Sequence, residues 1–268
     1  MVRKRKRIRL IAAALGLFVA AGPARGEPVR GAHEANTGER GEEAAPPTDS
    51  SQPKPGFFRE LGRDFGHVVA PSNLIILGVG GAAALLAHPY DRRLTNDFQS
   101  SARLDRFFEA GDVAGGGLVQ GGAAVATWIV GKVSHSREIA SVGEDLVRAQ
   151  IVNGALTQTI KLATNRDRPD GTRWSFPSGH TSAAFTTATV LERRLGWKAG
   201  VPAYAAAAYI GASRLQENRH FASDVLFGAA IGIVSGRSAT FDRGRYHVTL
   251  SPLVVPGGIG LAFVGIGR

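Results

Sequence analysis

The chain has 268 residues and no cysteine, which excludes a disulfide framework, zinc–thiolate sites and a lipoprotein cysteine anchor. Its formal charge of +10 invites a nucleic-acid reading, but residues 1–26 carry seven Lys and Arg and no acid. Beyond them 25 basic residues face 22 acidic ones, so the basicity belongs mainly to the start of the chain and no nucleic-acid partner is expected.

That start is a basic run, Met1 to Arg9, followed by the apolar stretch Ile11–Ala21 and the small residues Gly22 to Gly26. The pattern is that of a secretory signal peptide over 1–26, and the apolar run is short for a span of about 20 residues. The expected location is therefore exported: periplasmic or cell-envelope, with membrane association left open. Residues 27–56 are rich in Glu, Gly, Pro and Ser and read as a disordered linker. A helical domain is expected over 57–240, opening with a short amphipathic helix from Phe57 to Val69. Apolar periodicity then places helices near 73–88, 112–132, 143–164, 179–195, 199–212 and 223–237. Glycines 78, 80, 81, 115–117, 121 and 122 would weaken isolated helices, and close helix packing is the expected reason for them. Two strand-like runs around Pro256-Gly257-Gly258 make 241–268 a hairpin-like appendage. The fold class is all-α, a six-helix bundle with a short C-terminal β-hairpin.

Chemistry-bearing residues concentrate between Lys161 and Asp224, in three blocks. The first is Lys161, six residues, then Arg168-Pro169; the second is Pro177-Ser178-Gly179-His180. The third is Ser213-Arg214, five residues, His220, three residues, Asp224. Guanidinium forks suit phosphate oxygens, and a lysine adds a point charge. Asp224 lies four residues after His220, so on a helix the two would share a face, and the carboxylate would fix the imidazole tautomer. Ser178-Gly179-His180 reads as a loop entering a helix whose N–H groups face an anion. Each block lies in a different connection, and their convergence at one end of the bundle describes an anion pocket with a nucleophilic imidazole. That predicts phosphoryl transfer.

The three blocks resemble the signature of the type 2 phosphatidic acid phosphatase and vanadium-dependent haloperoxidase superfamily, over about a quarter of the chain. Seven residues, Asp170 to Phe176, separate the first two blocks, which is short for that family and bears on the pocket lid. The resemblance implies that His220 attacks phosphorus to give a phosphohistidine, that Asp224 orients His220, and that His180 protonates the leaving oxygen. It implies that Lys161, Arg168, Ser178, Gly179 and Arg214 hold the phosphoryl oxygens. It implies no metal and no cofactor, with vanadate as an inhibitor, or as the cofactor in a haloperoxidase.

The resulting expectation is a metal-independent phosphatase acting on phosphate monoesters, with lipid phosphates or isoprenoid pyrophosphates ahead of soluble phosphomonoesters. A haloperoxidase and a non-catalytic binder of lipid phosphates are the minority readings. Partners are the phosphorylated substrate and, as an open case, a membrane surface. Six crossings conflict with the polar residues Glu144, Asp145, Arg148, Gln150, Asn153 and Gln158 of the third helix. A soluble or surface-attached domain is the simpler expectation. His33, His67, His88, His135 and His247 are read as surface or structural, Arg166, Arg173 and Arg219 as solvated ahead of a supporting role behind the site, and Trp174 and Phe176 as walls of the pocket mouth or plain packing residues.

Overall fold

The computed structural model describes residues 56–98, 102–241, 246–255 and 258–267; the signal-peptide and linker readings lie outside the described residues. Helices α1 (Phe57–His67) and α2 (Pro71–Ala87) are followed by a 3₁₀ turn (His88–Tyr90) and α3 (Asp91–Phe98). Then come α4 (Ala102–Gly115), α5 (Gly117–Val133), α6 (Arg137–Thr164), α7 (Gly179–Leu195), α8 (Trp197–Gln216) and α9 (Ala222–Ala239). Strands β1 (Tyr246–Val255) and β2 (Gly258–Gly267) pair antiparallel, with Val255 opposite Gly258 and Tyr246 opposite Gly267.

The helix expectations hold in kind and differ in detail. The helix expected over 112–132 is broken at Gly116, where the segments Phe107–Gly115 and Gly117–Val133 meet at 61°. α6 begins six residues early because Ser136 caps it, its hydroxyl accepting the Ile139 N–H at 3.4 Å. It ends at Asn165, whose left-handed backbone (φ 42°) stops the helix just before the Arg168-Pro169 block. α8 continues through Pro202, its sixth residue, where the ring removes the hydrogen bond that would run to the Lys198 carbonyl.

The core lies between α7, α8 and α9, where Phe185, Ile210, Leu215, Val225 and Ala229 are buried together. α7 and α9 approach through a glycine stripe on α9. A Cβ on Gly232 would lie 2.3 Å from the Ser182 carbonyl oxygen, and one on Gly228 would lie 2.7 Å from that of Ser178. Only hydrogen fits there, and the close approach sets the start of α7 against the start of α9. Of the glycines singled out in the sequence, Gly115 bears out close packing, its Cβ position lying 2.5 Å from Ile210 Cγ2, but four others do something else. A Cβ on Gly78, Gly117, Gly121 or Gly122 would meet nothing within 4 Å, so these positions leave space and do not close it.

A second anchor sits about 24 Å from the end of α6, by the helix rise of roughly 1.5 Å per residue. There Arg148 is buried and ion-paired to Asp64 (2.9 Å), Asp145 (2.7 Å) and Glu60 (3.0 Å), tying α1 to α6. Asp145, Arg148 and Asn153 are buried and Gln150 donates to the Ala183 carbonyl at 3.0 Å, so much of the polar face that argued against a span is satisfied inside the protein, whereas Gln158 is exposed. On the outside, Leu85 and Leu86 of α2 and Leu118, Ile129 and Val133 of α5 are exposed. Among the described residues one continuous helical stretch, Pro71–Asp97, is long and apolar enough to cross a membrane, and the bent α4–α5 pair passes the same test if counted as one span.

Gly232→Ala is expected to destabilise the fold by about 1–3 kcal/mol, through overpacking against the α7 backbone. Gly78→Ala, with open space at its Cβ, should stabilise it by roughly 0.5–1 kcal/mol. Thermal unfolding of the two variants checks both signs.

Candidate active site

The three sequence blocks meet where α6 ends and α7 and α9 begin. Asp224 is the joint. It is wholly buried, at the third position of α9, and one carboxylate oxygen, Oδ2, accepts the Phe221 N–H at 2.8 Å. The same oxygen accepts the Ser175 hydroxyl, and Oδ1 accepts from Arg166 Nη1 at 2.7 Å. Its own carbonyl accepts the Ser178 N–H at 3.0 Å, so one residue binds both the loop before α7 and its first cap.

His220 lies two residues before α9 begins, so the two residues do not share a helix face. The Asp224 carboxylate turns back over the chain, leaving His220 Nδ1 at 3.6 Å from Oδ2. That distance is just beyond a hydrogen bond, and the interaction is mainly electrostatic. The ring is 3 % exposed. Burial is the main reason its pKa falls to about 4; Asp224 opposes the fall, while Lys161 and Arg168 add to it. His220 is therefore neutral through the ordinary pH range. Burial alone would raise the Asp224 carboxyl, but His220, Arg166 and Ser175 together hold it below the usual carboxylate range.

The cations surround this pair. Burial, then the charge of Arg168, brings Lys161 down to about 8. Its Nζ donates to the Trp174 carbonyl at 2.6 Å, and Trp174 adopts a left-handed backbone (φ 66°) in doing so. Arg168 is also lowered, by burial and then by Arg219, and its Nε has no hydrogen-bond partner among the described residues. Arg214 is 1 % exposed; Nη1 pairs with Asp112 at 2.6 Å and Nη2 with Glu217 at 2.6 Å. Ser178 is buried and starts α7, with Gly179 beside the stems of Lys161 and Thr157. His180 is partly exposed, and its Nε2 lies 3.3 Å from Asp112 Oδ1. Burial, then Arg214, lowers its pKa against the pull of Asp112.

Several readings from the sequence change. Arg166 is not solvated: it pairs with Asp91 (2.8 Å) and Asp224 (2.7 Å) because both carboxylates are buried and need a cation. Arg219 stays half-exposed but pairs with Asp170 at 3.0 Å. Phe176 stacks on Phe227, with ring centroids 5.0 Å apart, which favours the packing alternative for it over the pocket mouth. His88 contacts Asp91 at 3.2 Å, and His67 lies 3.3 Å from the Ser238 carbonyl oxygen, so both have structural partners. The sequence reading missed Asp112, Asp91, Ser175 and Glu217. Asp112 carried a signal of its own: it is the only acid between Glu109 and Glu138, in a Gly-rich apolar stretch. Among the described residues no group of three His, Asp or Glu side chains is placed to hold a metal ion.

A groove of about 620 Å³ opens beside this cluster. Lys161, Gly179 and His180 form one end, and Gly121, Val125 and Ile151 line its apolar length.

Residues 145–244 match the PAP2 superfamily model. That segment holds every site residue named from the sequence: Lys161, Arg168, Ser178, Gly179, His180, Arg214, His220 and Asp224 all fall inside it. A lipid A 1-phosphatase from Porphyromonas gingivalis is 45 % identical over 87 residues, which are 31 % of this chain and 20 % of that protein. The chain thus spans about a fifth of the length of the curated relative it matches. Aquifex aeolicus LpxE aligns over 56 % of this chain and 94 % of its own, at 26 % identity and a TM-score of 0.48. A transmembrane PAP2-type phosphatidylglycerolphosphate phosphatase from Bacillus subtilis aligns over 69 % and 94 %, at 19 % identity and a TM-score of 0.41.

His220 should remain neutral down to about pH 4 in a nitrogen-15 titration of its ring. Because the Asp224 charge raises the His220 pKa, Asp224→Asn should shift that titration to still lower pH.

Proposed function

We propose that this chain is a phosphatase that uses His220 as nucleophile and prefers phosphate monoesters carried on a lipid. The observation that carries the reading is a buried, neutral imidazole facing a buried carboxylate, inside a cluster of Lys161, Arg168 and Arg214. With Nδ1 turned to Asp224, Nε2 is the nitrogen left to attack. It forms a bond to phosphorus as the bond to the leaving oxygen breaks, and His180 gives that oxygen its proton. Water then attacks the phosphohistidine, His180 takes the water's proton, and phosphate leaves with the imidazole restored. Lys161, Arg168 and Arg214, with the Ser178 hydroxyl and the N–H groups at the start of α7, carry the charge of the phosphoryl oxygens. These fixed cations supply what a metal would, so the reading requires neither metal nor cofactor.

The lipid preference rests on the groove. Its apolar length begins at Lys161, Gly179 and His180 and has the width left by Gly117, Gly121 and Gly154, which suits a hydrocarbon chain attached to the phosphate. The exposed leucines of α2 and the exposed α5 face fit contact with a membrane, as a lipid substrate needs. The similarity to a protein named lipid A 1-phosphatase agrees with this class. An envelope location, with residues 1–26 as the export signal, belongs to the same proposal.

Phosphate release from a panel of lipid and soluble phosphates, with EDTA present, tests the reading. Turnover should be EDTA-insensitive, with kcat/KM highest for the lipid phosphates; a preference for soluble esters would leave the mechanism but overturn the substrate class. His220→Ala should lower kcat by roughly 10⁴-fold or more. The pH profile of kcat/KM should be a bell on the acid side. It rises through about 4, as His220 loses its proton and becomes nucleophilic. It falls below the ordinary histidine value of 6.5, as His180 loses the proton it must donate.

A further inference from the structure

We infer that Asp112, a residue outside the three motifs, is a positioning residue that holds His180 and Arg214 in the arrangement needed for proton donation to the leaving oxygen. The inference rests on the phosphoryl-transfer reading above and adds a carboxylate to it. A single oxygen, Oδ1, lies 3.3 Å from His180 Nε2 and accepts from Arg214 Nη1 at 2.6 Å. No other acid among the described ion pairs reaches His180, whereas Arg214 has a second carboxylate in Glu217.

The fold brings Asp112 there by an unusual approach. Gly111 and Gly115 lie on either side of it on α4. A Cβ on Gly111 would come 2.4 Å from Ser213 Oγ, and one on Gly115 would come 2.5 Å from Ile210 Cγ2 and 3.1 Å from His180 Cβ. Both glycines press α4 onto α8 and onto the imidazole itself. Phe108 stacks on Tyr209, with centroids 5.4 Å apart, and the Tyr209 hydroxyl donates to the Phe107 carbonyl, fixing the helix in that place. The Asp112 side chain itself stays 58 % exposed, so the two glycines seat the helix, and the helix carries the carboxylate to the rim beside His180 and Arg214.

Chemically, a carboxylate oxygen 3.3 Å from Nε2 opposes the loss of the imidazolium proton by its charge and orients the ring towards itself. The contact with Arg214 has a separate consequence, since Arg214 serves phosphate binding for every substrate alike. The two contacts can therefore be told apart by leaving group. General acid assistance matters for an alcohol of high pKa and little for nitrophenolate, whereas phosphate binding affects both.

The test is steady-state kinetics of the full chain, as wild type, Asp112→Asn, Asp112→Glu, His180→Ala and the Asp112→Asn/His180→Ala double variant. The substrates are p-nitrophenyl phosphate and an alkyl phosphate. Asp112→Asn should lower kcat for the alkyl phosphate about 10- to 100-fold and for the nitrophenyl ester by less than about threefold. Asp112→Glu, which keeps the charge, should recover part of the loss. In the His180→Ala background, Asp112→Asn should have little further effect, because both act in one step. Equal slowing of both substrates would overturn the inference in favour of a role through Arg214 or the fold. A fall in KM with kcat unchanged would also overturn it, showing instead that Oδ1 occupies the place of a substrate oxygen. If His180→Ala itself shows no dependence on leaving group, the acid role assigned to His180 fails, and the inference falls with it. Absence of turnover by the wild type on both substrates would overturn the phosphoryl-transfer reading and the inference with it, whereas equal slowing by Asp112→Asn overturns the inference alone.

Discussion

The carboxylate of Asp224 carries more of this structure than any other group. A charge wholly out of water is costly unless it is paired and fully hydrogen-bonded. Here the need is met by Arg166, Ser175 and the Phe221 N–H, while His220 lies alongside. Those partners come from the stretch after α6, the strap before α7, and the turn before α9. Satisfying one buried acid therefore draws three separate segments to one point. Asp91 extends the same logic outward: it accepts the Ser223 N–H and hydroxyl and shares Arg166, joining the start of α3 to the start of α9. The site is thus held by the burial of acids as much as by the packing of apolar side chains.

Charge is the second constraint. Lys161, Arg168, Arg214 and Arg219 sit close enough that Arg168 lowers the pKa of Lys161 and Arg219 that of Arg168. Such a cluster would repel itself in the absence of an anion. Asp112, Glu217 and Asp170 relieve the strain at the rim, each paired to one of these guanidiniums. Lys161 and Arg168 are left as the cations without a carboxylate partner among the described ion pairs, and these two also lower the pKa of His220. On the function proposed above, a phosphoryl group bound at these two would displace no carboxylate, whereas at Arg214 it would compete with Asp112 and Glu217.

Much of this was legible in the residue string. Lys161, Arg168, His180, Arg214, His220 and Asp224 announce themselves by type and spacing, and apolar periodicity finds the helices that carry them. Other features were invisible for a physical reason. Whether Arg166 is solvated depends on whether a buried acid lies within reach, and its partners Asp91 and Asp224 are 75 and 58 residues away. Asp112 reaches His180 from 68 residues earlier, through a helix contact that no local pattern encodes. The meaning of a glycine was equally hidden: Gly232 and Gly78 look alike in sequence, yet one sits against a carbonyl oxygen and the other against nothing. Local periodicity also could not see that Asn165 would end α6 or that Gly116 would bend the chain by 61°.

The glycines along the groove are defined by what they omit. At Gly117, Gly121 and Gly154 an added Cβ would touch no neighbour within 4 Å, so any side chain placed there projects into the channel and not into protein. The channel's depth is therefore set by atoms that are missing, at positions the folded core does not police. Single substitutions could shorten it stepwise, like stops along a ruler, while leaving His220 and its acids undisturbed. In such a design, the reaction and the reach of the molecule it accepts can change independently.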